Sequence, residues 1–239
     1  MEILFVEAKA LSVGALMYLD MLYKYSWEFV IDNEALNQKI FDLFIDLASE
    51  EIGKPNLFLG IYYVYGLGVK QDFNIAKQYL ELSQKNSTFP ESYHYLGYCY
   101  YYTNEVEKAI EQWEIGLSLD YADSGYELGV YYRDNEMYDK AFEYFTKTLA
   151  LNELDAYANA NMAELYLNGW GVEVNPYIAI NYLDKVIEID PNEPIALNLL
   201  GVAYVELGNN KLAIEYFTRS ANLGYEYAKY NLEKYNIGN

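Results

Sequence analysis

This sequence is short of the residues that most enzymes use for their chemistry. It contains one cysteine, Cys99, and one histidine, His94, in 239 residues. A single cysteine excludes an intramolecular disulfide framework and any site with several cysteine ligands. A single histidine removes most zinc, haem and serine–histidine–aspartate chemistry. We therefore expect no metal site, no cofactor and no catalytic residues.

Basic residues are also scarce, with 16 lysines and arginines against 36 aspartates and glutamates and a formal net charge of −20. Nucleic acids and anionic membranes repel such a surface, so neither is expected as a partner. The first residues lack a basic run, and Glu7, Lys9 and Asp20 interrupt the apolar stretch that follows. We expect neither a secretory signal nor a membrane span. The expected location is the cytoplasm, with signal-less export as the alternative.

Tyrosine, in contrast, is abundant, with 29 residues, and its spacing reveals an internal repeat. Five segments align on a small residue that follows leucine or methionine: Gly60, Gly97, Gly129, Ala163 and Gly201. A tyrosine stands three positions after each: Tyr63, Tyr100, Tyr132, Tyr166 and Tyr204. Each copy then has an alanine, at Ala76, Ala109, Ala141, Ala179 and Ala213. Four residues beyond the alanine lies a large apolar residue: Leu80, Trp113, Phe145, Leu183 and Phe217.

This pattern resembles the tetratricopeptide repeat, in which Leu-Gly-x-x-Tyr lies on one helix, A, and Ala-x-x-x-Phe on the next, B. Small residues let two helix backbones approach to 8–10 Å, and the large residue fills the groove beside them. Each helix pair leaves an apolar face open, so only stacking of three or more copies buries it. The resemblance implies an all-α fold, a right-handed α-solenoid of antiparallel helix pairs.

Two of the copies are four residues longer, and the extra residues carry Gly66-Leu67-Gly68-Val69 and Gly169-Trp170-Gly171-Val172. These copies resemble the Sel-one-like repeat, whose loop between the helices has the pattern Gly-x-Gly-Val. A dinucleotide site would need a preceding strand and a third glycine, and neither is present. We therefore interpret both loops as wider turns that use glycine for a positive φ.

We divide the chain into residues 1–53, 54–224 and 225–239. The first range reads as two amphipathic helices that form a degenerate repeat, the second with Leu36, Ile40, Leu43, Phe44 and Leu47 at helical spacing. The second range is the repeat array of about five copies. In the third, Glu233 replaces the small residue and no B helix follows, which predicts a polar capping helix.

Solenoids of the resembling family bind partners on the concave face that the A helices line. Carried over copy by copy, the positions on that face hold five acids, two bases and six tyrosines. Tyrosine is enriched in binding hot spots, although aromatic spacing on a helix also fits plain packing. The partner-binding residues predicted in this way are Tyr65, Glu91, His94, Tyr98, Tyr101, Tyr102, Asp123, Tyr126, Arg133, Asp134, Tyr157, Glu164, Asn168, Asn198 and Glu206.

Some tetratricopeptide proteins are chaperone adaptors that hold a C-terminal carboxylate with lysine, asparagine and arginine. The matching positions here carry His94, Tyr98, Asp123 and Glu127, which would repel a carboxylate. A thiol–imidazole dyad of His94 and Cys99 is also disfavoured, because five residues along a helix do not share a face. Cys99 is interpreted as a small buried residue.

The sequence therefore predicts a non-enzymatic module that binds a protein, expected to be basic, through its acidic and tyrosine-rich concave face. An inhibitor or immunity protein of a cationic toxin is one concrete form. The alternative is a bacterial assembly scaffold or secreted effector whose acidity serves solubility. An enzyme or a regulator that binds a small ligand between repeats is a third hypothesis.

Overall fold

The structure, a computed structural model, describes residues 34–48 and 53–235. Within these ranges the chain forms twelve helices and no strand, which confirms the all-α prediction. The first helix predicted near the N-terminus lies outside the described residues. The second predicted N-terminal helix is confirmed as α1 (Glu34–Ala48), with Ile40, Leu43, Phe44 and Leu47 buried.

The chain divides into two compact units, residues 1–121 and residues 122–239. Beyond α1, the described helices of the first unit are α2 (Gly53–Tyr65), α3 (Phe73–Asn86), α4 (Pro90–Tyr102) and α5 (Val106–Ser118). Helices α2 and α3 form one antiparallel A–B pair, and α4 and α5 form the next. Helix α1 packs on α2 and α3 packs on α4, so the apolar face of each pair is covered by its neighbour.

The second unit continues the same arrangement with three pairs and one further helix. Its helices are α6 (Ala122–Asp134), α7 (Tyr138–Leu151), α8 (Ala156–Asn168), α9 (Pro176–Ile189), α10 (Pro194–Glu206), α11 (Asn210–Asn222) and α12 (Glu226–Lys234). Helix α12 packs on α11 and stands in the A position of a sixth copy, as predicted for a capping helix. Glu233, in place of the small residue, is exposed there.

The small residue at the middle of each A helix allows the close approach that the sequence predicted. A Cβ atom on Gly60 would lie 2.5 Å from Leu80 Cγ, and one on Gly97 would lie 2.6 Å from Trp113 Cδ1. The equivalent distance from Gly201 to Phe217 Cδ1 is 2.5 Å. Carbon atoms pack at about 3.5–4.0 Å, so a side chain does not fit at these glycines without movement of the ring or leucine opposite.

The repeated tyrosine of the A helix stacks on a second tyrosine that the sequence analysis did not single out. The partner stands three residues after the repeated alanine of the B helix. Ring centroids are 5.3 Å apart for Tyr132 and Tyr144, and 5.5 Å apart for Tyr204 and Tyr216. The first and fourth copies have the same stack, with Tyr63 on Tyr79 and Tyr166 on Tyr182. Such pairs stabilise a fold by about 0.5–1.5 kcal/mol beyond the area they bury.

The Gly-x-Gly-Val loops are structural. All four of their glycines have φ between 62° and 71°, which glycine adopts without strain. The second glycine of each loop also presses against the B helix of the preceding copy. A Cβ atom on Gly68 would lie 2.6 Å from the Gln38 backbone nitrogen on α1, and one on Gly171 would lie 2.7 Å from the Tyr138 carbonyl carbon on α7.

Each loop then leads directly into the cap of its B helix. Asp72 accepts hydrogen bonds from the backbone nitrogens of Asn74 and Ile75, at 2.9 and 3.0 Å. Asn175 caps α9 in the same way, and Pro176 stands at the first helical position. That position suits proline, because its backbone has no N–H to leave unpaired. Asn175 and Pro176 therefore begin α9 in the fourth copy, where the first copy uses Asp72 to begin α3.

Candidate protein-binding surface

The residues predicted to bind a partner fall in both units, and those of the first unit form an aromatic group. Tyr65, Tyr101 and Tyr102 are 45%, 41% and 56% exposed. The ring of Tyr98 lies 4.5 Å from that of Tyr102, and Phe73 stacks on Tyr102 at 5.3 Å. Tyr101 contacts the ring of Tyr102 at 5.6 Å, and Tyr65 contacts the ring of Tyr95 at 6.1 Å. Such contacts restrict the exposed tyrosines before a partner binds, which lowers the entropy that binding costs.

Two predicted residues of the first unit are not tyrosines, His94 and Glu91, and His94 is mostly removed from the surface. Its side chain is 7% exposed and packs between the rings of Tyr95 and Tyr121, at 4.9 and 5.4 Å. Burial lowers the pKa of His94 to about 4, so it is neutral at physiological pH. Glu91, three residues earlier on α4, is partly exposed. His94 therefore belongs to the packing of α4 and not to its exposed face.

Cys99 is fully buried, as the sequence predicted, and burial raises the pKa of its thiol to about 12. The reactive form of cysteine is the thiolate, and a thiol with this pKa stays protonated at neutral pH. Over the described ranges, no group of three or more histidine, cysteine, aspartate or glutamate side chains is arranged to hold a metal ion. No helix of the described residues is long and apolar enough to cross a membrane.

In the second unit, acidic and aromatic predictions lie together on α6 and at the start of α8. Asp123 is exposed, and Tyr126, one turn later, has its ring 6.0 Å from that of Tyr157, which is 72% exposed. Asp155 caps α8 by accepting a hydrogen bond from the Ala158 nitrogen at 2.8 Å. Glu127 lies one turn after Asp123 on the same helix. Three carboxyl groups and two tyrosines thus share one area.

Two of the three carboxyl groups in this area, those of Glu127 and Asp155, have raised pKa values. Burial raises the pKa of Glu127 to about 7, and repulsion by Asp123 adds to the rise. Burial also raises the pKa of Asp155, opposed by its capping hydrogen bond. Such shifts mean that the negative charges are partly desolvated without enough compensating positive charge. A cation brought to this area would therefore be stabilised.

Arg133 is the one basic residue among the predicted face positions of the second unit, and it is already engaged. Its Nε and Nη2 atoms donate to Asp134 Oδ1 at 2.9 and 2.7 Å, and Nη1 donates to Asn161 Oδ1. Its charge lowers the pKa of Glu164, but burial outweighs this and the net direction is upward. Arg133 therefore orders this part of the surface without neutralising it.

The predictions on α8 and α10 differ in accessibility. Asn168 is exposed and donates to the Glu164 carbonyl oxygen at 2.9 Å, and Glu206 is exposed at the end of α10. Asn198, in contrast, is 7% exposed, and its Oδ1 accepts a hydrogen bond from Asn231 Nδ2 at 2.9 Å. Asn198 thus ties α10 to α12, while Asn168 and Glu206 present polar groups to solvent.

Several residues of this surface were missed as site residues by the sequence analysis. Tyr227 and Tyr230 on α12 are 68% and 59% exposed. They stand six and three positions before Glu233, where the other copies have face residues, so extending the register by one copy would have found them. Glu127 and Asn161 stand two positions before the small residue, which the pattern of the resembling family does not count as a face position.

Comparison with known families agrees with the helical pattern. The Sel1 repeat model matches residues 56–83, 90–111, 122–152 and 156–188, and a tetratricopeptide repeat model matches residues 182–215. The chain belongs to the tetratricopeptide and Sel1-like repeat superfamily. The predicted family and the presence of both repeat types are thereby confirmed, although the Sel1 model also matches the second and third copies, which were predicted to be of the tetratricopeptide type. Comparison with curated protein sequences gave no significant match.

Solved structures of this superfamily share the fold. A Sel1 repeat protein from Oxalobacter formigenes is 18% identical with a TM-score of 0.67, over 89% of this chain and 84% of its own. The protective antigen c5321 of uropathogenic Escherichia coli is 17% identical with a TM-score of 0.64, over 94% of this chain and 57% of its own. YrrB, a TPR protein with an unusual peptide-binding site, is 19% identical with a TM-score of 0.59, over 80% of this chain and 97% of its own.

At these identities the solved structures establish the fold alone. Tetratricopeptide and Sel1-like repeat proteins generally mediate protein–protein interactions, and their fold is typically a non-catalytic scaffold. This general role agrees with the geometry described above. The A helices of the described chain expose tyrosines and carboxyl groups, while His94 and Cys99 are buried.

Proposed function

We propose that this protein is a non-enzymatic interaction module that binds a basic protein or peptide on the A helices of its second unit. The binding surface, here called the acidic face, consists of Asp123, Tyr126, Glu127, Asp155, Tyr157 and Glu164. The observation that carries the proposal is the placement of half-buried carboxyl groups beside Tyr126 and the exposed ring of Tyr157, and the raised pKa values of Glu127, Asp155 and Glu164 agree with it. A lysine or arginine side chain of a partner would supply the positive charge that Arg133 does not.

The tyrosines of the acidic face would contribute the remaining binding energy. Tyr157 offers most of its ring to solvent, and its contact with Tyr126 restricts both side chains before a partner arrives. Aromatic residues at a rigid surface are the usual hot spots of protein interfaces. The net charge of −20 would further accelerate association with a cationic partner, in a salt-dependent manner.

The test uses two triple variants that remove the same number of carboxyl groups. The first neutralises the acidic face with Asp123→Asn, Glu127→Gln and Glu164→Gln. The control neutralises exposed carboxyl groups on the B helices α7, α9 and α11 of the same unit, with Asp139→Asn, Glu188→Gln and Glu215→Gln. Each purified protein is used to capture proteins from a lysate of the source organism at low and at high salt.

We expect the parent and the control variant to retain the same basic proteins at low salt, and the first variant to lose them. High salt should release these proteins, because at 1 M salt the attraction between exposed charges is screened beyond about 3 Å. Equal loss in both variants would mean that net charge alone attracts the partners. Equal retention in both would contradict the acidic face as the binding surface.

An inhibitor of a cationic toxin or nuclease is the most concrete form of this proposal. Such a protein needs fast association with a basic surface, which the charge of this chain favours. If a captured basic protein is toxic when produced alone, co-production of the parent should restore growth. Co-production of the variant with a neutralised acidic face should not.

The aromatic group of the first unit favours a second candidate function, a scaffold that holds partners mainly by apolar contact. Tyr65, Tyr101 and Tyr102 offer exposed ring area that does not depend on charge. Partners bound there should stay bound at high salt and should be lost from a Tyr65→Ala, Tyr101→Ala, Tyr102→Ala variant. Retention of all salt-resistant partners by that variant would contradict this candidate.

A further inference from the structure

The first Gly-x-Gly-Val loop borders a cavity of about 460 Å³ in the first unit. Residues 66–70 of the loop form one wall, and Glu34 and Asn37 of α1 form the other. The loop is in contact with α1 through Gly68, whose missing side chain allows the backbones to meet. The cavity belongs to the first unit and the acidic face to the second, so each can be tested without the other.

The corresponding place in the second unit is filled by two aromatic rings. There Gly171 meets α7 at Tyr138, just as Gly68 meets α1 at Asn37. Tyr138 stacks on Trp170, the middle residue of the second loop, with ring centroids 5.0 Å apart and planes 9° from parallel. The first unit has Asn37 in place of Tyr138 and Leu67 in place of Trp170. The same loop geometry therefore seats a stacked ring in one copy and leaves a cavity in the other.

Asn37 indicates what kind of group would enter this cavity. Its side chain is 2% exposed, and its Oδ1 has no hydrogen-bond partner within the part of the chain that the structure describes. This oxygen is not accessible from the cavity in the structure, and a buried acceptor without a partner is unfavourable. An occupant that donates a hydrogen bond would therefore stabilise a rotation of the amide that brings the oxygen to the cavity.

The two charged residues at the cavity favour neither sign of charge. Glu34 attracts a cation and Lys70 attracts an anion, so a neutral occupant is consistent with both. The glycines of the loop leave a backbone wall without side chains, which a flat ring can approach closely. A neutral ring that carries one O–H or N–H donor satisfies all of these conditions.

We propose that this cavity binds the side chain of a tyrosine or tryptophan of a partner protein. The ring lies against the glycine loop, where Tyr138 lies in the second unit, and its O–H or N–H donates to the Asn37 amide oxygen. Two independent observations carry this assignment. One is the aromatic stack at the equivalent place in the second unit, and the other is the unpaired buried acceptor at Asn37.

The test uses the full chain and blocked amino acids as probes, with binding followed by saturation-transfer NMR. We expect N-acetyl-tyrosinamide to bind with a Kd of about 1 mM, as is usual for a single side chain. N-acetyl-phenylalaninamide lacks the donor and should bind about fivefold more weakly, the value of one net hydrogen bond. In Asn37→Leu this difference between the two probes should disappear.

A second variant keeps the test independent of the stability of Asn37→Leu. The double substitution Asn37→Tyr, Leu67→Trp copies the aromatic pair of the second unit into the first. It should abolish probe binding without lowering Tm, because it fills the cavity with a stack that this fold already accommodates. Glu188→Gln, at an exposed position of α9 outside both proposed sites, serves as the control and should bind the probes like the parent.

The outcomes that would overturn the proposal are distinct from failure of the acidic-face model. Equal binding of the tyrosine and phenylalanine probes to the parent would remove the role of Asn37. Undiminished probe binding by the variant with the copied aromatic pair would show that the probes bind elsewhere. Tighter binding of free L-tyrosine than of its blocked amide would identify a site for a free amino acid, and would overturn the assignment to a partner side chain.

Discussion

The pairing of small and large residues inside each helix pair leads to a prediction that is testable by a double-mutant cycle. In the third copy, a Cβ atom on Gly129 would lie 2.5 Å from both Cδ1 and Cε1 of Phe145. The fourth copy has Ala163 and Leu183 at the same two positions, and both are fully buried. The variant Gly129→Ala, Phe145→Leu therefore copies a pair that the protein already uses in the same unit.

The expected magnitudes follow from packing and helix propensity. Overpacking by Gly129→Ala costs about 1–3 kcal/mol, and the better helix propensity of alanine offsets about 1 kcal/mol of that. Phe145→Leu leaves space beside Gly129 and costs roughly 1–2 kcal/mol. Independent effects would sum to about 2.5 kcal/mol. We expect the double variant to lose only about 1 kcal/mol, which is a favourable coupling of about 1.5 kcal/mol.

The assay is equilibrium unfolding in urea, followed by far-ultraviolet circular dichroism, for the parent, both single variants and the double variant. Gly129→Ala combined with Phe217→Leu is the matched control, because Phe217 lies opposite Gly201 and not opposite Gly129. The control pair should be additive within about 0.5 kcal/mol. Additivity of the Gly129 and Phe145 substitutions as well would refute the reasoning that the small residue exists to make room for the ring.

Two further predictions concern a loop glycine and a buried acid. Gly171→Ala should lower Tm at least twice as much as Gly208→Ala. Both glycines have positive φ, so both substitutions strain the backbone. Of the two, only Gly171 would also place its Cβ against another backbone, 2.7 Å from the Tyr138 carbonyl carbon. Equal losses in thermal unfolding would contradict this. The pKa of Glu127 is raised to about 7 in the folded protein, against 4.5 in the unfolded chain, so the protonated side chain favours the folded state. This contribution to stability is fully present below pH 4.5 and is lost as the pH rises through 7. Glu127→Gln should therefore have a higher Tm than the parent at pH 8 and a similar Tm at pH 4.5, whereas identical pH profiles would exclude the shift.

The fold was readable from the sequence because its packing rule is repeated. Gly60, Gly97, Gly129 and Gly201 each stand opposite a large residue at a spacing that varies only by the four-residue loop insertion. Five copies of one rule make it visible without any alignment. The second tyrosine of each stack was equally regular, three residues after the alanine in four copies, and was missed because only the A-helix tyrosine belongs to the resembled pattern.

The binding surface was less readable, because exposure depends on neighbours from other elements. His94 occupies a face position by spacing, but the rings of Tyr95 and Tyr121 cover it. Asn198 also occupies a face position, but Asn231 from the next A helix donates a hydrogen bond to its side-chain oxygen. The pKa of Glu127 depends on how deeply α6 places its carboxyl group, which spacing along one helix does not determine.

A repeat protein separates packing from function more clearly than an irregular fold does, because each copy is a control for the others. Four copies stack two tyrosines, but the second copy has Gln112 at the position of the second tyrosine. Its first tyrosine, Tyr100, instead has Lys77 and Lys108 over its ring, at 5.2 and 5.1 Å from the centroid. The fold therefore does not require the stack in every copy. The same comparison separates Asn37 from Tyr138 at the two glycine loops. A residue shared by all copies is explained by packing. A residue that differs from its equivalents while the surrounding helices stay the same is instead a candidate for contact with a specific partner.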